Sequence, residues 1–291
     1  ANAGLVEPRV RDTPATRNES NRSLGRLIEL YITLGQTRSG RPLAKSTRLK
    51  LGTAKTHMLS YFDAAQAVSG ITAEHAHQFA QWLQQQKPDG AGLALNSARK
   101  IVANTKLFFQ HAEALRWIEK NSSPFSDVVS STVANRTKDY FITREDYQAL
   151  LAVCPTTEWR VLLAFSRYGG LRIPSEIAEL RWSDIQTERH RFTVRAAKTA
   201  HKAHLQVRET PLFPEILVEL DQLRKETTDS QKASSGDLVF SMQLSDSNMS
   251  TRLGRLIERA GLEKWPKPFQ NMRASRRTEL QAEGYDNHVL N

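Results

Sequence analysis

Residues 157–185 read TEWRVLLAFSRYGGLRIPSEIAELRWSDI. An apolar helix is predicted to end at Gly169-Gly170, and Arg172 sits just past the break. Pro174 is expected to open a second helix, with Glu176 four residues after Arg172. This layout puts Arg172 at a helix entrance, beside backbone N–H groups that favour an anion. Glu176 is placed to hold the guanidinium, because side chains four residues apart share a helical face.

Composition points the same way. The chain has 291 residues, 39% of them hydrophobic, enough for two domains with cores. Lys and Arg number 41 against 31 Asp and Glu, a formal net charge of +10. A polyanionic partner follows, with nucleic acid first. The single cysteine, Cys154, excludes an intramolecular disulfide framework and suits a reducing, cytoplasmic compartment. Its setting, QALLAVCPTTEW, reads as a helix end with a buried thiol. No run approaches the roughly eighteen apolar residues a membrane span needs, and no secretory leader pattern opens the sequence. His75 and His77 stand two apart on a predicted helix, point different ways, and make a poor metal pair. Gly-rich phosphate loops, zinc spacings and metalloprotease motifs do not occur.

Residues 1–21 are polar, carry Pro8, Pro14 and several arginines, and are expected to form a flexible basic extension. Residues 22–124 show helical spacing in SLGRLIELYITL, STRLKLGTAKTHMLSYF, TAEHAHQFAQWLQQQ and ALNSARKIVANTKLFFQHAEALRWI. They predict a four-helix domain with Trp82, Phe108, Phe109 and Trp117 in its core, and with Ser46 and Thr72 as N-caps. Lys45, Arg48 and Lys50 on one helix, and Arg99, Lys100 and Lys106 on another, offer basic faces to a DNA groove or its phosphates. Serine- and threonine-rich residues 125–139 read as a linker, and residues 140–291 as a second domain. There, Thr143 and Asp146 resemble a capping box, and RFTVRA and HLQVRETPLF alternate like two antiparallel strands. Their connection carries Lys198 and Lys202. FPEILVELDQLRKET reads as an amphipathic helix with a solvated acidic face, and MSTRLGRLIERAGL, NMRASRRTELQAEG and HVLN as further helices. The fold class expected is mainly α, with a small antiparallel sheet in a mixed α/β second domain.

The first stretch resembles the leading arginine box of tyrosine-type site-specific recombinases, the phage integrase family. Gly170-Leu171-Arg172, Glu176, Leu180, Trp182, Asp184 and Ile185 match it in one run. PFQNMRASRRTEL resembles the family's second box, H-x-L-R-H-T, with Arg273 as its arginine and Gln270 where histidine is common. VRAAKTAHKAHLQVRETPL resembles the V-x-x-x-K-T, turn, R-x-x-P-L pattern that holds the family's hairpin lysine, here Lys198, with Lys202 as the fallback. Phe109, Ala112, Ile118 and Asn121 match the close of the family's core-binding domain.

The resemblance implies a SAM-like core-binding domain before an integrase-type catalytic domain, the two clamping duplex DNA. It implies that Arg172 and Arg273 grip the phosphate, Glu176 orients Arg172, and Lys198 protonates the leaving 5′-oxygen. Gln270 would only hydrogen-bond, because an amide does not exchange protons near neutral pH. A tyrosine would form a 3′-phosphotyrosine link, in a homotetramer on paired sites associated with the nucleoid, without metal or cofactor. None of the six tyrosines follows an L-G-H-like turn, and Tyr285 reads as a structural or surface residue. The nucleophile is therefore expected beyond Asn291. Two rival readings remain at this point: a recombinase-derived DNA-binding protein without catalysis, and a type IB topoisomerase.

Overall fold

A computed structural model describes residues 22–36, 40–85, 90–195, 207–229, 237–242, 244 and 248–286. The chain divides into two compact units, Ala1–Ala134 and Asn135–Asn291. The basic extension at 1–21, the hairpin tip carrying Lys198 and Lys202, and the HVLN segment lie outside the described residues.

Among the described residues, the first unit contains four α-helices: α1 (Leu24–Leu34), α2 (Lys45–Leu59), α3 (Ala73–Trp82) and α4 (Leu95–Ala114). α4 is the central one. Ala98, Ile101, Val102, Thr105, Phe108, Phe109 and Ala112 recur at three- and four-residue spacing and are all buried. Trp82 and Trp117 are partly buried against the same core. Thr72 caps α3 as expected, with a twist of chemistry: His75 closes the capping box, its Nδ1 accepting from the Thr72 N–H at 3.2 Å. Ser46 is not a cap. Helix α2 starts at Lys45 with its N-cap at Ala44, two residues before Ser46, and the Ala44 carbonyl accepts from the N–H groups of Thr47 and Arg48. The neighbouring Leu43 is buried, so core packing sets the entry of the chain before a hydroxyl can.

The stretch 125–134, at the start of the expected linker, lies along α4. Phe125 is fully buried and meets Phe109 at 4.9 Å between ring centroids. Asn96 bonds reciprocally to the Val133 backbone, Arg99 donates to the Ser131 carbonyl, and Lys106 donates to the Ser126 carbonyl. Polar side chains of α4 thereby satisfy a loop backbone that has no sheet or helix of its own.

The second unit contains α5 (Arg144–Ala152), α6 (Thr157–Arg167), β1 (Ile185–Gln186), β2 (Arg191–Arg195), β3 (Val207–Pro211), α7 (Pro214–Asp229), α8 (Met249–Arg259) and α9 (Pro268–Ala282). The strands form an antiparallel sheet in the order β1-β2-β3. Val194 pairs with Arg208, and Phe192 with Thr210. The Thr143–Asp146 capping box forms at the start of α5. Helix α6 is buried from Val161 to Arg167 without a break, so it forms the spine of this unit. The expected solvated acidic face of α7 needs correction at Glu219. That carboxylate is 5% exposed and accepts two bonds from Arg160 of α6, at 2.6 and 2.8 Å. The periodicity was right for a helix but could not reveal a partner on α6.

Candidate functional site

The chain leaves α6 through Gly169 and turns at Gly170, whose φ of +64° suits a residue without a Cβ. Beyond it, residues 173–179 form turns rather than the expected helix. Two helical bonds are present, from Glu176 N–H to the Arg172 carbonyl and from Ala178 N–H to the Pro174 carbonyl. Tertiary pairing then takes over. The Leu180 carbonyl accepts from Val239, and Trp182 N–H donates to Asp237, so the backbone is drawn into a bridge instead of a further helical turn.

Arg172 is nevertheless held as the sequence implied. Its Nη1 donates to Glu176 Oε1 at 2.6 Å, and its backbone N–H donates to Oε2 at 2.9 Å. Arg208 of β3 completes the carboxylate. Its Nη1 reaches Oε1 at 3.1 Å and its Nη2 reaches Oε2 at 2.8 Å. Glu176 is only 3% exposed. Burial pushes its carboxyl up, but the bonds and charges of Arg208 and Arg172 outweigh that and hold it at about 2.

Arg273 comes from α9, a hundred residues on in sequence. Its stem lies over Gly170: a Cβ built on that glycine would stand 3.6 Å from Arg273 Cγ and 3.7 Å from Cδ. The conformation and the missing side chain of Gly170 are thus both used, and the two arginine boxes touch there. Among the described residues, no side chain or carbonyl accepts a bond from the Arg273 guanidinium. Its pKa is lowered by burial, then by the Arg172 charge, with Glu176 opposing and Arg208 adding to the shift. Three guanidinium groups therefore face one carboxylate, three positive charges against one negative. A site with this surplus, partly screened from water, is built to receive an anion.

Helix α9 is locked in place from below. Arg167 of α6 is fully buried; it donates to the carbonyls of Ile142 (2.9 Å) and Met272 (3.3 Å) and pairs with Glu279 of α9. Arg276 pairs with the same carboxylate and packs over the rings of Phe213 and Tyr168. At the head of α9, Asn271 donates to the carbonyls of Lys138 and Pro266, while Ser275 accepts from the Ile142 N–H.

Of the other sequence-predicted residues, Gln270 is exposed three positions before Arg273, near it on the same helical face. Lys198 and Lys202 lie outside the described residues. In the first unit, Lys45, Arg48, Lys50 and Lys100 are exposed, whereas Arg99 and Lys106 are half-buried and bonded to the 125–134 segment. Tyr147 and Tyr168 are buried, Tyr140 stacks on Trp265 at 5.4 Å, and Tyr285 is exposed past α9. Sequence reasoning assigned no role to Arg208 or Arg167. The R-x-x-P-L match was a signal for Arg208; Arg167 lies inside an apolar helix and gave none. Among the described residues, no group of three or more His, Cys, Asp or Glu side chains stands ready for a metal ion. Nor is any described helix long and apolar enough to cross a membrane.

Comparison with known proteins places this geometry. A sequence model of the phage integrase family matches residues 140–291, more than half of the chain. The chain belongs to the phage integrase family, whose members are tyrosine recombinases. Among solved structures, the Tn1549 transposon integrase in complex with transposon right end DNA is similar over 92% of this chain and 89% of its own, with a TM-score of 0.69 at 17% identity. The lambda integrase bound to DNA is similar over 92% and 89%, with a TM-score of 0.64 at 14% identity. A lambda integrase tetramer bound to a Holliday junction is similar over 97% and 77%, with a TM-score of 0.64 at 16% identity. These likenesses establish a shared mainly helical fold with a small antiparallel sheet. A search of curated proteins gave no match.

Proposed function

We propose that this chain is a site-specific DNA recombinase that cuts and rejoins strands through a 3′-phosphotyrosine intermediate, serving DNA integration. The observation that carries the reading is the meeting of Arg172, Arg208 and Arg273 around the single buried carboxylate of Glu176. A phosphodiester under attack gathers negative charge on its non-bridging oxygens, and fixed guanidinium groups stabilise that charge without reorganising. Arg172 and Arg273 hold those oxygens, and Glu176 orients Arg172. A tyrosine hydroxyl loses its proton to solvent as its oxygen attacks phosphorus, the bond to the 5′-oxygen breaks, and Lys198 gives that oxygen a proton. Gln270 donates a neutral hydrogen bond beside Arg273. The exposed cations Lys45, Arg48, Lys50 and Lys100, with Arg99, Lys106 and Lys202, contact DNA phosphates. Exchange takes place in a homotetramer on two paired sites, at the nucleoid, as the relatives bound to DNA and to a Holliday junction favour. The chemistry calls for no metal or cofactor.

The experiment is covalent trapping. Genomic fragments captured on the protein are sequenced, and a nicked duplex bearing the shared site is incubated with the protein expressed from the whole reading frame, past residue 291. A protein–DNA adduct on a denaturing gel supports strand exchange, and peptide sequencing of the adduct identifies the attacking tyrosine. Tight binding without any adduct favours a non-catalytic DNA-binding protein. Relaxation of supercoiled plasmid lacking the site favours a type IB topoisomerase.

A further inference from the structure

We propose that Arg208 is a positioning residue of the phosphate site: it fixes the plane of the Glu176 carboxylate, and that plane fixes where Arg172 points. The inference rests on the strand-exchange reading of the same cluster and adds a residue to which that reading gave no task.

Each oxygen of Glu176 accepts two bonds, one from each arginine. The two kinds of bond are not equivalent. Arg172 reaches the carboxylate with one side-chain nitrogen and its own backbone N–H. A single side-chain bond on a half-exposed arginine leaves its guanidinium free to pivot. Arg208 instead presents two nitrogens of one rigid plane to the two oxygens, at 3.1 and 2.8 Å. Such a fork holds a carboxylate flat and stops rotation about its terminal bond. Arg208 is itself set by the sheet, where it pairs with Val194, a buried residue on the same face. Position thus passes from the β2–β3 ladder to Arg208, to Glu176, and then to Arg172.

The charged groups that face Glu176 among the described residues are Arg172, Arg208 and Arg273. Without Arg208, each carboxylate oxygen keeps one bond, and the chief bond opposing the upward push of burial is gone. The carboxyl would then titrate closer to the neutral range, and Arg172 would lose its charged anchor on acidification.

The test uses the full chain with Arg208→Met, Arg208→Lys, and Arg208→Met combined with Glu176→Gln. Single-turnover cleavage of the nicked duplex at saturating protein is measured from pH 5 to 7, beside DNA affinity. Arg208→Met is expected to cleave about tenfold to a hundredfold more slowly, the scale of a misplaced catalytic group, with little change in affinity. Its rate is expected to fall further towards pH 5, more steeply than the wild type. Arg208→Lys keeps the charge but not the fork, and is expected to leave affinity unchanged without recovering rate. A wild-type rate and pH profile in Arg208→Met, full rescue by lysine, or a loss of rate that only follows a loss of affinity would overturn the proposal. If the wild type cleaves nothing, the strand-exchange reading fails, and thermal unfolding between pH 4 and 7 decides the hold on Glu176. Between pH 7 and 4 the wild type should then lose stability relative to the double variant, in which position 176 does not titrate, whereas Arg208→Met should lose less than the wild type, because its raised carboxyl binds the proton in the folded state. Matching profiles in all three proteins overturn the proposal.

Discussion

Glu176 is 3% exposed and still ionised, because four donors converge on its two oxygens. Its folded value of about 2 lies below the ordinary 4.5. The stability from this ionisation is therefore fully present above about pH 4.5 and is lost as pH falls through about 2. A depression of this size corresponds to about 3 kcal/mol. Subtracting the urea-unfolding pH profile of Glu176→Gln from that of the wild type should leave a step of this order in that window; a flat difference would refute the account. At the same scale, Arg172→Ala and Arg273→Ala should each slow cleavage on the order of a hundred- to a thousand-fold, because each acts on charge that develops in the transition state. DNA affinity, measured by gel shift, should stay near the wild type, since many other cations contribute to it. Gln270→Ala should cost less than either arginine, as only a neutral bond is removed. Equal damage from Gln270→Ala and Arg273→Ala would show that the roles are misassigned.

At the scale of elements, α6 and α9 are coupled by a buried ion pair rather than by apolar contact alone. Arg167 is fully enclosed, and Glu279 is its carboxylate partner. Glu279→Ala leaves that guanidinium buried without a counter-charge, a change that costs about 3–5 kcal/mol. Denaturant unfolding should show this loss. Cleavage should also weaken at temperatures where the variant is folded, because Arg273 rides on the helix that Glu279 anchors. A loss well under that range would mean the pair is better hydrated than its burial indicates. In the first unit, Thr72→Ala should cost about 1 kcal/mol by removing the α3 cap. Ser46→Ala should change stability by less than about 0.5 kcal/mol, because Ser46 lies inside α2 and caps nothing.

For the molecule as a whole, a formal charge of +10 and exposed cations on α2 and α4 imply binding driven by counterion release. With several phosphate contacts, affinity for duplex DNA should fall by on the order of a thousandfold between about 50 and 200 mM salt. Fluorescence anisotropy across that range measures the slope, and a flat profile would argue against a phosphate-tracking protein. Neutralising Lys45, Arg48 and Lys50 together should reduce the slope. Neutralising Arg99 should act mainly on stability, since its guanidinium is bonded to the Ser131 carbonyl.

Periodicity and punctuation alone delivered the helices of the first unit and the strand pair, while the order of the two arginine boxes came from the resemblance to the family. Those features follow from local rules: apolar spacing selects a helix, alternation selects a strand, and Gly170 permits the turn before Arg172. The Arg172–Glu176 pair was legible too, because four residues of spacing brings the two together through a single helical turn. Non-local partners were not legible. Arg208, apart from its R-x-x-P-L match, reads as any hairpin arginine until β3 brings it to Glu176. Glu219 reads as solvated until Arg160 meets it, and residues 125–134 read as linker until Asn96, Arg99 and Lys106 bind their backbone. The turns at 173–179 likewise replace a predicted helix because residues 237–239 claim the backbone that follows. Spacing determines what a residue can reach within about one turn of its own helix. Which charge meets which across a hundred residues is decided by packing, and that packing surrounds Glu176 with three arginines.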